Sequence, residues 1–303
     1  MRDMTKDYIL ITGATGYLGK YLVNNLIGQK KKLIIFSSGV SGNNPEKLFN
    51  NENIKFCNLT NYSEIIEKYN PKLMINLQVN FSFSHDLFSM NEMMDANICM
   101  PIKLVEVCSR NGLKRLISPT TFHAFGEHSD YSYNPINFFS GTKQAFSDLA
   151  LPLAKNNRFA FDEIVIYDTF GFNDKRKKIV SIIFDAIKSG EKLIMSPGNQ
   201  ILDLTFIDTL AAGISQFTDD DFTLRIGKKS LFFATSENRL TLKNLVKRCE
   251  VISNKKLNTE WGGLPYRPRE IMNPIKPIKN MNICDQEDID LNLKKLYTIS
   301  LKK

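Results

Sequence analysis

A glycine-rich turn near the start of the chain is the feature with the clearest chemical meaning. The apolar run Tyr8-Ile9-Leu10-Ile11 leads directly into Thr12-Gly13-Ala14-Thr15-Gly16-Tyr17-Leu18-Gly19, and a helical pattern of apolar residues follows. Such a turn aims backbone N–H groups outward at a helix N-terminus, where a pyrophosphate binds. We expect Gly13 to make the tight turn, Gly16 to let phosphates approach and Gly19 to let helix pack on strand. The sequence therefore predicts a dinucleotide site, with a purely structural turn as the alternative. Its predicted residues are Gly13, Thr15, Gly16, Tyr17, Leu18 and Gly19.

A second set of polar residues could assist a nicotinamide in reducing a carbonyl group. That reaction needs a proton donor for the carbonyl oxygen, a cation that lowers the pKa of the donor, and a hydroxyl that holds the oxygen. A predicted strand ends in Ser118-Pro119-Thr120-Thr121, and a helical segment from Phe138 carries Lys143. The hydroxyls at this strand end are therefore candidates for holding the oxygen, and Lys143 is a candidate for the cation. A solvated helix lysine is the alternative explanation of Lys143.

A parallel sheet is needed to bring these residues together, and the sequence predicts one. Short apolar runs alternate with helical segments through the first 170 residues, which is the pattern of βαβ units. The predicted strands are Tyr8–Ile11, Lys32–Phe36, Ile54–Cys57, Leu73–Leu77, Leu113–Ile117 and Glu163–Tyr167, and the main predicted helices are Tyr62–Tyr69, Met90–Asn111 and Phe138–Ala154. Because ligands bind at the carboxyl ends of parallel strands, the glycine turn and Thr121 should lie at one edge.

The pattern loosens after residue 171, which predicts a second, smaller unit. A strand is predicted at Leu202–Ile207 and helices at Ile179–Gly190, Thr209–Phe217 and Asp285–Leu296, with loops rich in Pro and Gly between them. We therefore expect an α/β fold, a Rossmann-type doubly wound parallel sheet with a smaller C-terminal mixed substrate lobe. The predicted domains are residues 1–170 and 171–303, with the segment 200–217 packing on the first.

The composition is that of an ordinary globular protein of 303 residues, 43% hydrophobic and 24% charged. The net charge of +8 does not predict nucleic-acid binding, because the lysines are scattered and the densest run, residues 175–178, could bind a small anion. Five cysteines without a CxxC pair, and histidines 85, 123 and 128 without ligand spacing, predict neither disulfides nor a metal site. Since no signal peptide or apolar stretch of about 18 residues is present, we expect no membrane span and a cytoplasmic protein.

Six motifs, in order along nearly the whole chain, resemble those of the extended short-chain dehydrogenase/reductases, a family of nucleotide-sugar epimerases, dehydratases and reductases. They are the glycine turn, Thr120–Gly126 against SSxxVYG, Phe139–Lys143 against YxxxK, Tyr167–Gly171 against FNVYG, Ile201–Asp208 against RDFIxVxD, and Gly263–Glu270 against the nucleotide-binding tail of sugar reductases. The resemblance implies a Rossmann fold, a nicotinamide cofactor and a nucleotide-diphosphate sugar as substrate. Within the family it favours the nucleotide-4-keto-sugar reductases.

The resemblance also assigns roles to individual residues. Thr121 would hold the substrate oxygen, and Lys143 would bind the nicotinamide ribose and lower the pKa of a neighbouring phenol. The substrate contacts that it implies are Thr121, Phe122, Asp168, Arg267 and Arg269. Arg267 is the expected diphosphate contact, because guanidinium pairs with phosphate in a bidentate manner. Arg269 competes for that role, and a surface loop arginine is the alternative. Leu202 replaces the arginine of RDF, which removes one phosphate contact.

The catalytic tyrosine of the family is replaced here by Phe139, which has no proton to donate. Loss of a general acid costs about 10² to 10⁴ in rate, or roughly 3–5 kcal/mol of barrier, although cofactor and sugar should still bind. Three explanations are open: an engineered Tyr-to-Phe change, a natural enzyme with another donor, and a natural non-catalytic relative. We favour the engineered change, because the residues around Phe139 keep their active form. Tyr131, Tyr133 and His123 are candidate substitute donors, although each is also explained as a loop residue.

The choice of cofactor depends on the residues after the second strand. An acidic residue there would bind the ribose 2′-OH of NAD. Ser37 and Ser38 stand there instead, which favours NADP(H) over NAD(H). The resemblance adds Asn58 and Leu59 as adenine contacts, and Leu77, Gln78 and Val79 along the cofactor. Leu77 and Val79 could equally be core residues.

The predicted reaction is hydride transfer from NADPH to C4 of a nucleotide-linked 4-keto-6-deoxy or 3,6-dideoxy sugar, for a surface-polysaccharide precursor. A C4 epimerase is the alternative, although Ser37 and Ser38 disfavour its NAD. Phe122 and His123 stand where a 4,6-dehydratase has its acid and base, which argues against dehydration. A non-catalytic dinucleotide-binding protein is the third possibility. The resemblance further implies a homodimer through the Met90–Asn111 helix and the helix that carries Lys143.

Overall fold

Strands and helices alternate along the chain in the computed structural model, which describes residues 7–39, 44–82, 84, 86–127 and 130–301. The strands are β1 Tyr8–Thr12, β2 Lys32–Ser37, β3 Ile54–Asn58, β4 Leu73–Asn76, β5 Arg115–Thr121, β6 Ala160–Ile166, β7 Asp168–Phe170, β8 Leu193–Met195, β9 Ile201–Phe206, β10 Lys229–Ala234, β11 Arg239–Thr241 and β12 Thr259–Trp261. The helices are α1 Tyr17–Gly28, α2 Pro45–Leu48, α3 Tyr62–Tyr69, α4 Leu87–Met94, α5 Met100–Arg110, α6 Phe138–Asn157, α7 Ile179–Ser189, α8 Ile207–Phe217, α9 Leu242–Ser253 and α10 Ile289–Ser300. A π-helical stretch, Asp95–Cys99, joins α4 to α5.

Seven parallel strands form the central sheet in the order β10-β6-β5-β4-β1-β2-β3. The chain starts at β1, builds outward to β3, and then crosses to the other side of β1 to build β4, β5 and β6. The order therefore reverses between β1 and β4, which is the point where open α/β sheets bind ligands. The predicted Rossmann-type doubly wound sheet is confirmed.

Helices cover both faces of this sheet, which explains why its inner strands are apolar throughout. Ile9 and Ile11 pack in one cluster with residues of α1 and α8, whereas Leu10, between them, packs with residues of α5 and α6. Alternate side chains of one strand thus enter different layers.

A smaller lobe holds a three-stranded sheet, β11-β9-β7, and a two-stranded sheet, β12-β8. Residues of α7, α9 and α10 form its apolar cluster. The predicted division at residue 170 stays a prediction, but the large sheet draws on both ranges, because β10 lies at its edge. The segment 200–217 is divided: β9 belongs to the small sheet, whereas α8 packs on α1.

Two strands have bounds that differ from those of the apolar runs that predicted them. The strand predicted at Leu113–Ile117 runs from Arg115 to Thr121, and that predicted at Glu163–Tyr167 runs from Ala160 to Ile166. The sequence pattern misplaces them because it counts apolar residues, and both strands contain buried polar or charged residues.

Two predicted helices also begin elsewhere. The helix predicted at Met90–Asn111 starts at Leu87, where the side chain of Asp86 accepts a hydrogen bond from the first turn. The helix predicted at Asp285–Leu296 starts after Asp288, which caps it in the same way. In each case a cap residue, rather than the apolar pattern, sets the start.

A buried ion pair joins β5 to β6 at the end of the sheet opposite the glycine turn. The guanidinium of Arg115 lies 2.7 Å from the carboxylate of Asp162, and both side chains are fully buried. Arg115 also donates to the carbonyl oxygen of Phe217 at the end of α8 (2.8 Å), and Arg225 holds the second oxygen of Asp162 (3.0 Å). This cluster ties the central strands to the chain that follows α8.

Within the described ranges, no helix combines the length and apolarity needed to cross a membrane. His, Cys, Asp and Glu side chains of the described residues do not assemble into a group of three that could hold a metal ion. Histidines 85 and 128 lie outside the described residues.

Substitution of Arg115 by methionine should lower the free energy of unfolding by about 3 kcal/mol, because Asp162 would remain buried with one partner fewer. Arg110→Met is the matched control, since Arg110 and its partner Glu106 are 63% and 44% exposed and such pairs contribute at most about 1 kcal/mol. Urea unfolding followed by circular dichroism measures both variants. Equal losses would contradict a special role for the buried pair.

Candidate active site

The glycine turn lies where the strand order reverses, between β1 and β4. Gly13 has a φ of +66°, and a Cβ there would lie 2.5 Å from the carbonyl oxygen of Leu77 and 2.7 Å from the backbone nitrogen of Gln78. A Cβ on Gly19 would lie 2.2 Å from the carbonyl oxygen of Gly13. Only glycine fits either position, so the turn, α1 and the end of β4 pack backbone against backbone.

The N-terminus of α1 opens on the same edge of the sheet and fits an anionic group. Gly16 is exposed at the N-cap position, and among the described residues no side chain caps α1 there. The first-turn N–H groups and the helix dipole therefore stay available to negative charge. Together with the backbone cradle at Gly13, they suit a dinucleotide pyrophosphate. Thr15, Tyr17 and Leu18 belong to this same turn.

Buried hydrogen bonds hold the ends of β1 and β4 together beneath the turn. The Thr12 hydroxyl donates to the side-chain oxygen of Asn76 (2.8 Å) and accepts from the backbone N–H of Gln78 (3.1 Å). They fix the point at which Gln78 leaves the sheet. Leu77 packs against the core, whereas Val79 is 49% exposed. The alternative explanation of Val79 as a core residue therefore does not hold.

The predicted adenosine side of the site lies at the ends of β2 and β3. Ser37, the last residue of β2, is paired in register with Asn58, the last residue of β3, and Ser38 follows partly exposed. Asn58 accepts hydrogen bonds from the backbone N–H and hydroxyl of Thr60 (2.9 and 2.7 Å), which commits its side-chain oxygen to that turn. Leu59 is 52% exposed. The predicted contacts thus follow the carboxyl edge of the sheet in strand order.

Thr121, Phe139 and Lys143 are brought toward each other because α6 packs on β5 and on the turn that follows it. Thr121 ends β5, and its hydroxyl oxygen accepts from the backbone N–H of His123 (3.3 Å), which leaves the hydroxyl hydrogen to donate. Phe139 and Lys143 are four residues apart and therefore share one face of α6. A capping box at Asn137 fixes the start of this helix.

Lys143 has the properties of a residue that binds a ribose hydroxyl. It is 6% exposed, and no described residue accepts a hydrogen bond from its ammonium group. Burial lowers the pKa of Lys143 to about 8, against the opposing charge of Glu163. A buried ammonium with unused donors fits hydroxyl oxygens of a ligand.

Asn97, in the π-helical stretch, is a site residue that the sequence analysis missed. Its side chain bonds the backbone N–H and carbonyl of Asn80 (2.7 and 2.9 Å) and the hydroxyl of Thr142 (2.9 Å). Thr142 in turn donates to the carbonyl oxygen of Phe139 (2.7 Å). Asn97 therefore ties the segment after β4 to the first turn of α6. The predicted helix Met90–Asn111 contains several polar residues, so no sequence signal singles out Asn97.

The ring of Phe139 packs edge-to-face against Phe81, with centroids 5.1 Å apart and an interplanar angle of 84°. Phe81 itself is 43% exposed. The side chain at the signature tyrosine position therefore has an aromatic neighbour and no hydroxyl.

The candidate substitute donors have other surroundings. Tyr131 donates its hydroxyl to the carbonyl oxygen of Lys276 (3.0 Å). The Tyr133 hydroxyl lies 3.8 Å from a Cβ built on Gly141, which is two residues from position 139 and therefore on another face of α6. Burial lowers the pKa of His123 to about 4, so this imidazole is neutral near pH 7. These observations argue against all three.

A cluster of charges lies beyond the end of β6. Burial raises the pKa of Asp168 to about 6, with Lys178 opposing and Glu270 adding to the shift. After burial, Lys178 and Arg267 are the charges that lower the pKa of His123. Lys178 therefore lies within electrostatic range of both Asp168 and His123, and Arg267 lies within range of His123. Two cations that both act on His123 suit a diphosphate bound nearby.

The basic run 175–178 flanks the glycine turn as well. The guanidinium of Arg176 lies 4.4 Å from the ring centroid of Tyr17, and Arg176 forms a bidentate pair with Asp174 (2.7 Å). Arg176 thus contacts the dinucleotide turn, whereas Lys178, two residues later, acts electrostatically on Asp168 and His123.

Two predicted substrate residues have structural partners. Arg269 donates to the carbonyl oxygen of Pro135 (2.6 Å) and to the side chain of Asn134 (2.7 Å), which ties the tail to the loop before α6. Phe122 is buried, and its ring stacks on Tyr167 with centroids 5.5 Å apart. Substrate contact by either residue stays a prediction.

This combination of fold, glycine turn and lysine helix defines a class of dinucleotide-binding proteins, and comparison with known families places the chain in it. The sequence model of the NAD dependent epimerase/dehydratase family matches residues 9–225. The chain belongs to the NAD dependent epimerase/dehydratase family.

Curated relatives include two proteins named CDP-abequose synthase. The one from Yersinia pseudotuberculosis is 28% identical over 299 residues, which cover 97% of this chain and 99% of the relative. The one from Salmonella muenchen is 22% identical over 276 residues, 90% of this chain and 89% of the relative.

Solved structures support the same fold. A tyrosine-to-phenylalanine mutant of UDP-glucuronic acid 4-epimerase from Bacillus cereus, in complex with a UDP-sugar and NAD, superposes with a TM-score of 0.84 at 18% identity, covering 97% of this chain and 99% of that one. UDP-N-acetylglucosamine 4-epimerase from Methanobrevibacter ruminantium gives a TM-score of 0.81 at 17% identity, with 99% of each chain covered.

Gly13→Ala should lower dinucleotide affinity by about tenfold or more, because the new methyl group meets the carbonyl oxygen of Leu77 and the left-handed φ is strained for alanine. Gly28→Ala is the control, since a Cβ on Gly28 at the end of α1 meets nothing within 4 Å. Titration of reduced dinucleotide, followed by its fluorescence, measures both. Unchanged binding by Gly13→Ala would overturn the turn's role.

Proposed function

We propose that this protein is built to catalyse the NADPH-dependent reduction of the C4 keto group of a nucleotide-linked 4-keto-6-deoxy or 3,6-dideoxy sugar. The product would be a surface-polysaccharide precursor. The observation that carries the proposal is the likeness to CDP-abequose synthase over 97% of the chain, together with a glycine cradle and a buried Lys143 that fit a nicotinamide dinucleotide.

Each residue of the site has one task in this reaction. The bound nicotinamide cofactor supplies the hydride. The α1 N-terminus binds the pyrophosphate, and Lys143 donates hydrogen bonds to the ribose. The Thr121 hydroxyl donates to the substrate oxygen, which places the carbonyl group. Arg267 and Lys178 neutralise the diphosphate of the nucleotide sugar.

This set of residues lacks a proton donor at position 139, because phenylalanine has no hydroxyl group. A tyrosine in its place would share the α6 face with Lys143, whose charge lowers the pKa of a nearby phenol. We propose that the chain with Phe139 binds cofactor and sugar but is disabled in proton transfer, and that the change was introduced into an active enzyme.

For the cofactor we propose NADP(H) in preference to NAD(H). The support is Ser37 and Ser38 after β2, where an acidic residue would favour NAD. A nucleotide-sugar C4 epimerase is the second candidate, and a non-catalytic dinucleotide-binding relative is the third. The epimerase would carry NAD through purification and consume no external NADPH.

We also propose a cytoplasmic homodimer. On α4, Leu87 and Phe88 are 74% and 70% exposed, and on α6 Leu149 is 50% exposed. An apolar face on these two helices suits pairing with a second copy of the chain.

The function is tested by the loss of NADPH absorbance with CDP-, dTDP-, GDP- and UDP-linked 4-keto-6-deoxy sugars. Phe139→Tyr should raise turnover by about 10²- to 10⁴-fold over the chain with Phe139, because it restores the general acid. The comparison measures both proteins side by side on the same sugars. Turnover in neither protein would overturn the reductase and favour an epimerase or a binding-only relative, and equal turnover in both would mean that another group supplies the proton.

Asp168 should make nucleotide-sugar binding depend on pH. Its pKa is raised to about 6, so the carboxyl group is mostly neutral below that pH and repels the diphosphate above it. Affinity should therefore fall by about tenfold as the pH rises from 5 to 7.5, and Asp168→Asn should bind tightly without this dependence.

Isothermal titration with a nucleotide-diphosphate sugar measures this effect. Asp185→Asn, on the exposed face of α7, is the control and should keep the pH dependence of the unmodified chain. A pH dependence that persists in Asp168→Asn would contradict the assignment.

A further inference from the structure

An ion pair lies behind the lysine of α6, outside the residues assigned above. Glu163 on β6 and Lys229 on β10 approach to 3.0 Å, and the side chain of Glu163 is 7% exposed. A carboxylate so deeply placed in the sheet is costly unless it is paired. Lys229 provides the pairing, but its own side chain is 30% exposed, so the pair is reached by solvent from one side.

The pair is connected to the site through α6. Lys229 also donates to the hydroxyl of Ser147 (2.9 Å), which is fully buried. Ser147 lies one turn after Lys143, and Lys143 lies one turn after Phe139. Positions four apart share a helix face. The Glu163–Lys229 pair therefore contacts, through Ser147, the face of α6 that also carries Lys143 and Phe139.

Glu163 is the charge that acts on Lys143. Burial lowers the pKa of Lys143 to about 8, and the carboxylate of Glu163 opposes that shift. The charged groups on the other elements packed on α6 are exposed or partly exposed, or lie at the far end of β5: Glu92, Asp95, Lys103, Glu106, Arg110, His123 and Arg115. Burial raises the pKa of the Cys108 thiol on α5, which is therefore neutral. Without Glu163, burial alone would favour the neutral amine, which cannot stabilise a phenolate and donates fewer hydrogen bonds.

We propose that Glu163, with its charge tempered by Lys229, is a positioning residue that keeps Lys143 in its ammonium form. Lys229 sets the strength of that effect, because it neutralises part of the carboxylate. The inference deepens the proposed function and rests on its assignment of Lys143 to the nicotinamide ribose. It requires no sugar turnover and can be tested on binding alone.

The test is the pH dependence of NADPH binding between pH 6.5 and 10, followed by the fluorescence of the reduced nicotinamide. Glu163→Gln should move the midpoint for loss of binding down by about 1 pH unit, since a favourable charge near Lys143 is removed. Lys229→Met should move it up by a similar amount, because the full charge of Glu163 then acts on Lys143. Opposite shifts from two halves of one ion pair are not expected of a merely structural role.

Three further variants complete the design. Lys143→Met should abolish the midpoint, which identifies the titrating group. Glu106→Gln breaks an exposed pair on α5 and should leave the midpoint in place. The double variant Glu163→Gln/Lys229→Met should have a midpoint between those of the two single variants, because the two opposite charges act additively on Lys143.

Midpoints that stay unchanged, or that move in the same direction in both single variants, overturn the inference. If Glu163→Gln does not fold, Lys229→Met still decides, since only an upward shift supports the inference. Opposite shifts without turnover on any keto sugar would leave the inference standing and overturn the reductase. Turnover by Phe139→Tyr without the shifts would support the reductase and overturn the inference. Absence of dinucleotide binding by the chain with Phe139 overturns both.

Discussion

The contact between the glycine turn and the end of β4 is the constraint on which the rest of the site depends. Gly13 takes a left-handed conformation with no room for a Cβ beside Leu77. The turn before α1 therefore packs directly against the backbone at the end of β4. That closeness leaves the α1 N–H groups at the point where the strand order reverses. Every other predicted cofactor contact follows from it, because the parallel strands on either side end along the same edge.

Helix α6 carries the reacting side of the site, and polar contacts decide its position. Asn97 bonds both the segment after β4 and Thr142 of α6, so the strand that bounds the glycine turn and the helix that bears Lys143 are held through one amide. The π-helical stretch around Asn97 places this side chain in the interior. A buried amide with every bond satisfied fixes geometry more strictly than apolar packing does, because a small displacement leaves polar groups unpaired.

The sequence predicted the sheet class, most elements and the glycine turn, because these depend on local pattern: apolar runs, helical periodicity and glycine spacing. It misplaced β5 and β6, since Arg115 and Asp162 look like surface residues until their pairing is known. It missed Asn97 and Glu163 for the same reason. Asn97 bonds Thr142, 45 residues away in the sequence, and Glu163 pairs with Lys229 on another strand; a chain read on its own does not bring those partners together. Arg269 has structural partners that its motif did not indicate, because its hydrogen bonds are to the protein's own loop; its predicted ligand contact stays a prediction.

The site around Phe139 keeps what a phenol at that position would require. Lys143 is buried without a hydrogen-bond acceptor among the described residues, an arrangement that costs stability and contributes little to packing. Binding of ribose hydroxyls would offset that cost, because the ligand would then supply the acceptors that the ammonium group lacks. The three candidate donors each lie on another face, bond elsewhere or stay neutral. Of these four positions, position 139 is therefore the one that shares a helix face with Lys143, and its phenylalanine differs from tyrosine by a single oxygen atom.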